Sequence, residues 1–284
     1  MRAQLECFCC NIRQAQEAVG IAGKDRESQW LVSQKVCQLY AEADPAWTPA
    51  FMTTRAHDLA KAVAGVEDIF YQLKRHYNQL ALKLYPRLKQ FVTEGPASQH
   101  LERAIRVAIA GNLIDLGVYQ EIKAEQLLSE VEHTSWGKYQ FDLLQKEINA
   151  ARKIVYVGDN AGEVVFDRIL LEEMDSQKEI VFVIKGGPIS NDALLQDAQE
   201  AGIEKIARLM TTGQAEIGLR LEAAPPELQE FWAQADLIIS KGQGNFETLS
   251  EAKGNLFFLL KAKCLPVARE LGVSQGALVL QRRD

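Results

Sequence analysis

Acids, amides, lysines and glycines come together in a few short segments of this 284-residue chain, each directly after an apolar, β-branched run. After Ile154-Val155-Tyr156-Val157 comes Gly158-Asp159-Asn160-Ala161-Gly162-Glu163. After Ile180–Ile184 comes Lys185-Gly186-Gly187-Pro188-Ile189-Ser190-Asn191-Asp192, and after Leu237–Ile239 comes Ser240-Lys241-Gly242-Gln243-Gly244-Asn245. A further run, Leu256–Leu260, ends in Lys261-Ala262-Lys263-Cys264. Asp159, Asn160 and Asp192 are hard oxygen donors, suited to a divalent cation such as Mg²⁺ or Mn²⁺. Lys241 and Lys263 are compact cations that suit a phosphate, and the turn from Gly242 to Gly244 can offer main-chain N–H groups. A metal ion, lysines and a glycine turn are what phosphoryl transfer requires, because its catalysis is mostly positioning and charge neutralisation.

These residues are scattered over about a hundred positions, so the fold must gather them. From residue 151 onward the apolar runs 154–157, 180–184, 206–210, 237–239, 256–260 and 277–280 are mostly separated by helical stretches such as Val164–Met174, Asp192–Ala201 and Pro226–Ala235. That alternation predicts an α/β fold, a Rossmann-like, mainly parallel sheet with helices on both faces. The runs are solidly apolar because a parallel sheet is covered on both sides. All its strand ends then emerge at one carboxyl edge, where open α/β sheets bind ligands.

Residues 1–150 carry long amphipathic segments, and we expect an all-helical N-terminal region covering the rim of an α/β core formed by residues 151–284. Thr48-Pro49 has the pattern of an N-cap followed by proline at the first helical position, and Pro86 should kink or end the helix it falls in. Leu101, Ala104, Ile105, Ala108 and Ile109 share one helical face. Asn112, eleven residues past Leu101 and thus about three turns on, continues that stripe, and Asp115 follows one turn later. Cys7 and Cys10 have C-x-x-C spacing, but no second pair completes a tetrahedral zinc site, so a buried helical pair is expected.

Composition bounds the rest. The apolar fraction is 47% and the charged fraction 25%, ordinary for a globular protein. The net charge of −6 gives no reason to expect nucleic acid as a partner. No apolar run approaches a membrane span of about 20 residues, and Met1–Cys10 lacks the apolar core of a signal peptide. Five cysteines, an odd number, fit a reducing compartment, so a cytoplasmic protein is expected. The motifs of dinucleotide folds, P-loops and serine hydrolases are absent from the sequence.

With Cys7-x-x-Cys10, Gly111-Asn112-x-x-Asp115, Gly158–Glu163, Lys185-Gly186-x-Pro188-x-x-Asn191-Asp192, Lys241-Gly242-x-Gly244-Asn245-Phe246-Glu247 and Lys263-Cys264 in this order, the chain resembles the metal-dependent damage-control phosphatases over nearly its whole length. The C-x-x-C pair resembles the prokaryotic branch. The resemblance implies one divalent metal (Mg²⁺, Mn²⁺, Co²⁺ or Ni²⁺) held by Asp159, Asn160 and Asp192, with Asp159, Asp192 and Lys263 in catalytic roles. It implies a small phosphorylated metabolite as substrate, met by Asn112, Asp115, Glu163, Lys241, Gly242, Gly244 and Asn245. Where related eukaryotic branches carry Arg-Thr-x-Lys, this chain reads Leu260-Lys261-Ala262-Lys263, so only the final lysine corresponds. Either aspartate can orient a water or attack phosphorus. Two alternatives stay open at this point: a carboxyl methyltransferase using S-adenosylmethionine at the same strand end, and a non-enzymatic metal- or metabolite-binding protein.

Overall fold

The computed structural model describes residues 1–111, 124–133 and 135–283. Asn112 and Asp115 lie outside them. The strands are β1 (Trp136–Tyr139), β2 (Lys153–Val157), β3 (Glu179–Ile184), β4 (Arg208–Thr211), β5 (Leu237–Lys241), β6 (Leu256–Lys261) and β7 (Leu278–Arg282). They form one sheet in the order β1-β7-β6-β5-β2-β3-β4. Strands β2 to β6 run parallel, while β7 pairs antiparallel with β6 and parallel with β1. From β2 the chain moves outward through β3 to β4, then returns to add β5 and β6 on the other side. The strand order therefore reverses between β2 and β5, which makes that gap the switch point of the sheet.

Alternate strand residues feed two separate cores, as the period of two requires. Ile154, Tyr156, Phe182, Leu237, Ile239, Phe257 and Leu259 face one of them. There they meet α4 (Tyr71–Thr93), α5 (Ala97–Ala110), α7 (Phe141–Ala150), α8 (Glu163–Leu171) and α9 (Leu195–Glu200). Val155, Val157, Val183, Ile238 and Phe258 face the other, under α10 (Pro226–Gln234), α11 (Gln243–Leu249) and α12 (Leu265–Leu271). A third apolar cluster joins α1 (Leu5–Ile21), α2 (Arg26–Ala41) and α3 (Pro49–Ala64). The short α6 (Ala124–His133) precedes β1.

Two details differ from the sequence reading. A strand, β1, occurs before residue 150: it is a four-residue edge strand of alternating partial exposure, so no apolar run announces it. The helix α4 runs on past Pro86 to Thr93. Leu84, Leu88 and Phe91 are buried on either side of the proline, and their packing holds the helix through the lost hydrogen bond. Thr48 does cap α3, accepting from the Phe51 N–H at 3.1 Å, with Pro49 first in the helix. No helix among the described residues is long and apolar enough to cross a membrane.

Candidate active site

The switch point brings the end of β2 against the turn after β5. Gly242 has φ +81°, and a Cβ placed there would fall 2.0 Å from Asp159 Oδ2. Glycine is required here both by conformation and by the approach of the carboxylate. Asn160 and Asp192 form an isolated antiparallel bridge, flanked by Ala161 N–H to Asn191 O and Ala193 N–H to Asp159 O, each 2.9 Å. The loop after β3 is thereby stitched to the loop after β2, so Asp159, Asn160 and Asp192 meet although about thirty residues separate them.

Each of the three is oriented by a neighbour. Asn160 Nδ2 donates to Asp159 Oδ2 (3.1 Å) and to Glu163 Oε2 (3.3 Å), which turns its Oδ1 the other way. Lys185 is buried, lies 3.4 Å from Asp192 Oδ2, and donates to Gly218 O at 2.6 Å. The pKa of Asp159 is raised well above the ordinary carboxylate value. Burial of its carboxyl is the main cause, followed by the charges of Glu163 and Asp192, with Lys263 and Lys185 pulling the other way. A cluster of oxygen donors, buried at Asn160 and Asp192 and partly exposed at Asp159, that resists its own negative charge is a fit for a hard divalent cation.

Not every predicted residue joins this cluster. In β5, Leu237 and Ile239 face the core beneath α5 and α8, and Lys241 follows them at the same alternation. Its ammonium is fully buried and donates to Glu163 Oε1 (2.6 Å), Asp167 Oδ1 (2.7 Å) and Ala108 O (2.8 Å). The expected contact of Lys241 with phosphate is therefore corrected: all three donors of the ammonium are engaged inside the protein. Burial opposes its charge, but Asp167 and Glu163 outweigh this and raise its pKa. Asp167 also accepts from Tyr156 OH at 2.7 Å, and burial lifts its own pKa to about 6.

Glu163 is likewise buried, at the first position of α8, and reaches the rim through Asn160. Asn245 is fully buried too; its Nδ2 donates to Gly158 O (3.0 Å) and Lys241 O (2.8 Å), which clamps the ends of β2 and β5 together. The side-chain role expected for Glu163 and Asn245 in binding substrate thus becomes one of holding the strand ends. Gly242 N–H is taken by Leu259 O at 3.1 Å. Gly244 lies in the first turn of α11, with Ile217 behind it. Lys263 is the exposed cation of the set, and its main-chain N–H donates to Gln243 Oε1 at 3.1 Å.

Sequence reasoning missed Lys185, Asp167, Tyr156 and Asn78. Asn78, from α4, receives the Gly162 N–H at 2.7 Å and donates to Asp197 at 2.7 Å, which fixes the entrance to α8. Lys185 directly follows β3, and Tyr156 faces inward by the strand alternation. Nothing in the sequence connects Asn78 to a turn over eighty residues away.

An open α/β sheet with acids, an amide and a lysine converging at its switch point defines a small-ligand site of the doubly wound class. The chain belongs to the damage-control phosphatase ARMT1-like domain family, whose model matches residues 3–279. It is 37% identical over 293 residues to the damage-control phosphatase PH1575 of Pyrococcus horikoshii, covering 99% of this chain and 98% of that one. It is 36% identical over 290 residues to the uncharacterized protein MJ0202 of Methanocaldococcus jannaschii, covering 98% and 94%. A damage-control phosphatase of Archaeoglobus fulgidus is 35% identical over 236 residues, 81% of each chain. The crystal structure of the Pyrococcus horikoshii protein, described as a DUF89 family member, superposes with a TM-score of 0.89 at 34% identity over 100% of both chains.

Proposed function

We propose that this protein is a divalent-metal-dependent phosphatase acting on small phosphorylated metabolites. The observation that carries the proposal is the meeting of Asp159, Asn160 and Asp192 at the switch point, within reach of the charge of Lys263. Membership of the damage-control phosphatase family and the names of two relatives support it.

The metal would be held by Asp159, Asn160 Oδ1 and Asp192, with Mg²⁺, Mn²⁺, Co²⁺ or Ni²⁺ as candidates. When bound, it supplies charge neutralisation to phosphate oxygens. The chain's own residues do the rest. Lys185 and Glu163 hold Asp192 and Asn160 in place. Lys263, at an exposed position, offers its ammonium to the phosphate, beside the turn at Gln243 and Gly244. One of the two aspartates either takes a proton from the attacking water or attacks phosphorus itself. Stereochemistry at a chiral phosphorothioate separates these routes: inversion identifies water, and retention identifies a covalent aspartyl intermediate.

The test is phosphate release from a panel of sugar phosphates and other phosphometabolites by chelator-treated protein, with each metal added back. We expect release only with metal, and none from Asp159→Ala. Equal release by that variant and the parent would refute the site. Absence of release with every metal and substrate would favour a binding protein.

A further inference from the structure

Helix α3 lies against the two loops that support Asp192. Lys61, in its last turn, donates from Nζ to Pro188 O in the loop after β3 and pairs with Glu67 at 3.3 Å. One turn earlier His57 is buried; burial, with the Lys61 charge adding to it, pushes its pKa down to about 4, so the ring is neutral. His57, Ile69 and Phe70 back onto Pro188, Ile189 and Ser190 in a seam too narrow for a water molecule. Thr54, two turns before Lys61, accepts the Ile217 N–H at 3.0 Å in the loop after β4.

Both contacts lead to the same carboxylate. Ser190, in the loop after β3, has φ +45°, a left-handed backbone position that a serine adopts only under constraint. It stands between Pro188, gripped by Lys61, and the pair Asn191 and Asp192, which joins the loop after β2. Such a turn persists only where its surroundings over-determine it. From the other side, Gly186 N–H is held by Gln214 O (3.0 Å) and Thr212 Oγ1 (3.1 Å). Lys185, 3.4 Å from Asp192 Oδ2, donates to Gly218 O, next to the Ile217 that α3 holds.

We propose that Lys61 is a positioning residue for the divalent-cation site, an inference that rests on the cation reading of Asp159, Asn160 and Asp192. Its ammonium acts through Pro188 O. That grip fixes the turn at Ser190, and the turn sets the direction from which Asp192 faces Asn160. Without Lys61 the turn relaxes, the bridge between Asn160 and Asp192 loosens, and the oxygen donors no longer converge on one point. Partners that orient a metal's ligands from behind govern affinity in this way. Glu67 pairs with the same ammonium but is exposed, so its loss leaves the grip on Pro188 in place.

Two measurements on the full chain test this. In metal-free protein, hydrogen–deuterium exchange is followed at Ala161 and Ala193, whose N–H groups flank the bridge. Exchange there is expected to speed up in Lys61→Met, with the protection of β2 to β6 unchanged, and to keep the parent's rate in Lys61→Arg and Glu67→Gln. Calorimetric titration with Mn²⁺ is expected to show roughly tenfold weaker binding by Lys61→Met. Lys61→Arg, which keeps a donor for Pro188 O, and Glu67→Gln should bind as the parent does. Equal Mn²⁺ affinity in Lys61→Met and the parent, equal exchange at Ala161 and Ala193, or an equal loss in Lys61→Arg would each overturn the role of Lys61 and leave the cation site standing. A parent protein that binds no Mn²⁺ would overturn the cation site itself, and this proposal with it.

Discussion

Two clusters of acids lie within a few residues of each other at the β2 and β5 strand ends, and they have opposite characters. The inner one, Glu163, Asp167 and Tyr156 around Lys241, is fully buried and supplied with its own cation. The outer one, Asp159, Asn160 and Asp192, opens to the rim, and the local lysines only partly offset its carboxylates. The residue types are nearly the same; Glu163 and Asp167 project from α8 onto Lys241 of β5, whereas Asp159, Asn160 and Asp192 stand on the loops after β2 and β3. Glu163 belongs to both, with one oxygen on Lys241 and the other on Asn160, so the inner cluster sets the geometry of the outer one.

The contrast can be broken from either side. Asp192→Ala removes an oxygen donor from the outer cluster and should cut phosphate release by roughly a thousandfold, as measured by turnover; it also leaves the buried Lys185 without its carboxylate, so its unfolding midpoint in urea should fall as well. Lys241→Met strikes the inner cluster and leaves two buried carboxylates without their cation. It should cost about 3–5 kcal/mol in urea unfolding. If Lys241 were instead a phosphate ligand, that variant would raise KM and leave stability unchanged.

Smaller effects sharpen the same boundary. Gly242→Ala sets a methyl against the Asp159 carboxylate at a left-handed backbone position. It should lose about 1–3 kcal/mol of stability together with most activity. Lys263→Ala, at an exposed position, should raise KM by roughly tenfold with an unchanged unfolding midpoint. The weakest effect concerns Glu247, whose pKa burial lifts from 4.5 to about 7 in the folded chain. The folded state then binds more protons than the unfolded state between those values, so stability falls as pH rises through that window. Glu247→Gln should flatten that part of the stability-against-pH curve.

Much of this architecture was legible in the chain. The apolar runs from Ile154 to Leu280 marked six of the seven strands among the described residues, and their ends pointed to Asp159, Asn160 and Asp192. The error at Lys241 has a simple cause. A lysine at a strand end reads as a rim cation, whereas its alternation with Leu237 and Ile239 already placed it on the core face. Asn245 was harder, because the partners that bury it, Gly158 O and Lys241 O, are main-chain groups that any sequence offers. The exposed edge strand β1 lacks the apolar signature by which the inner strands are recognised.

The most direct measurement is a calorimetric titration of Mn²⁺ into chelator-stripped protein, comparing the parent with Asp159→Ala and with a Tyr156→Phe variant that trims only the inner cluster. The two-cluster account predicts one equivalent of Mn²⁺ bound by the parent and by Tyr156→Phe, and none bound by Asp159→Ala. Unchanged Mn²⁺ affinity in Asp159→Ala would contradict it.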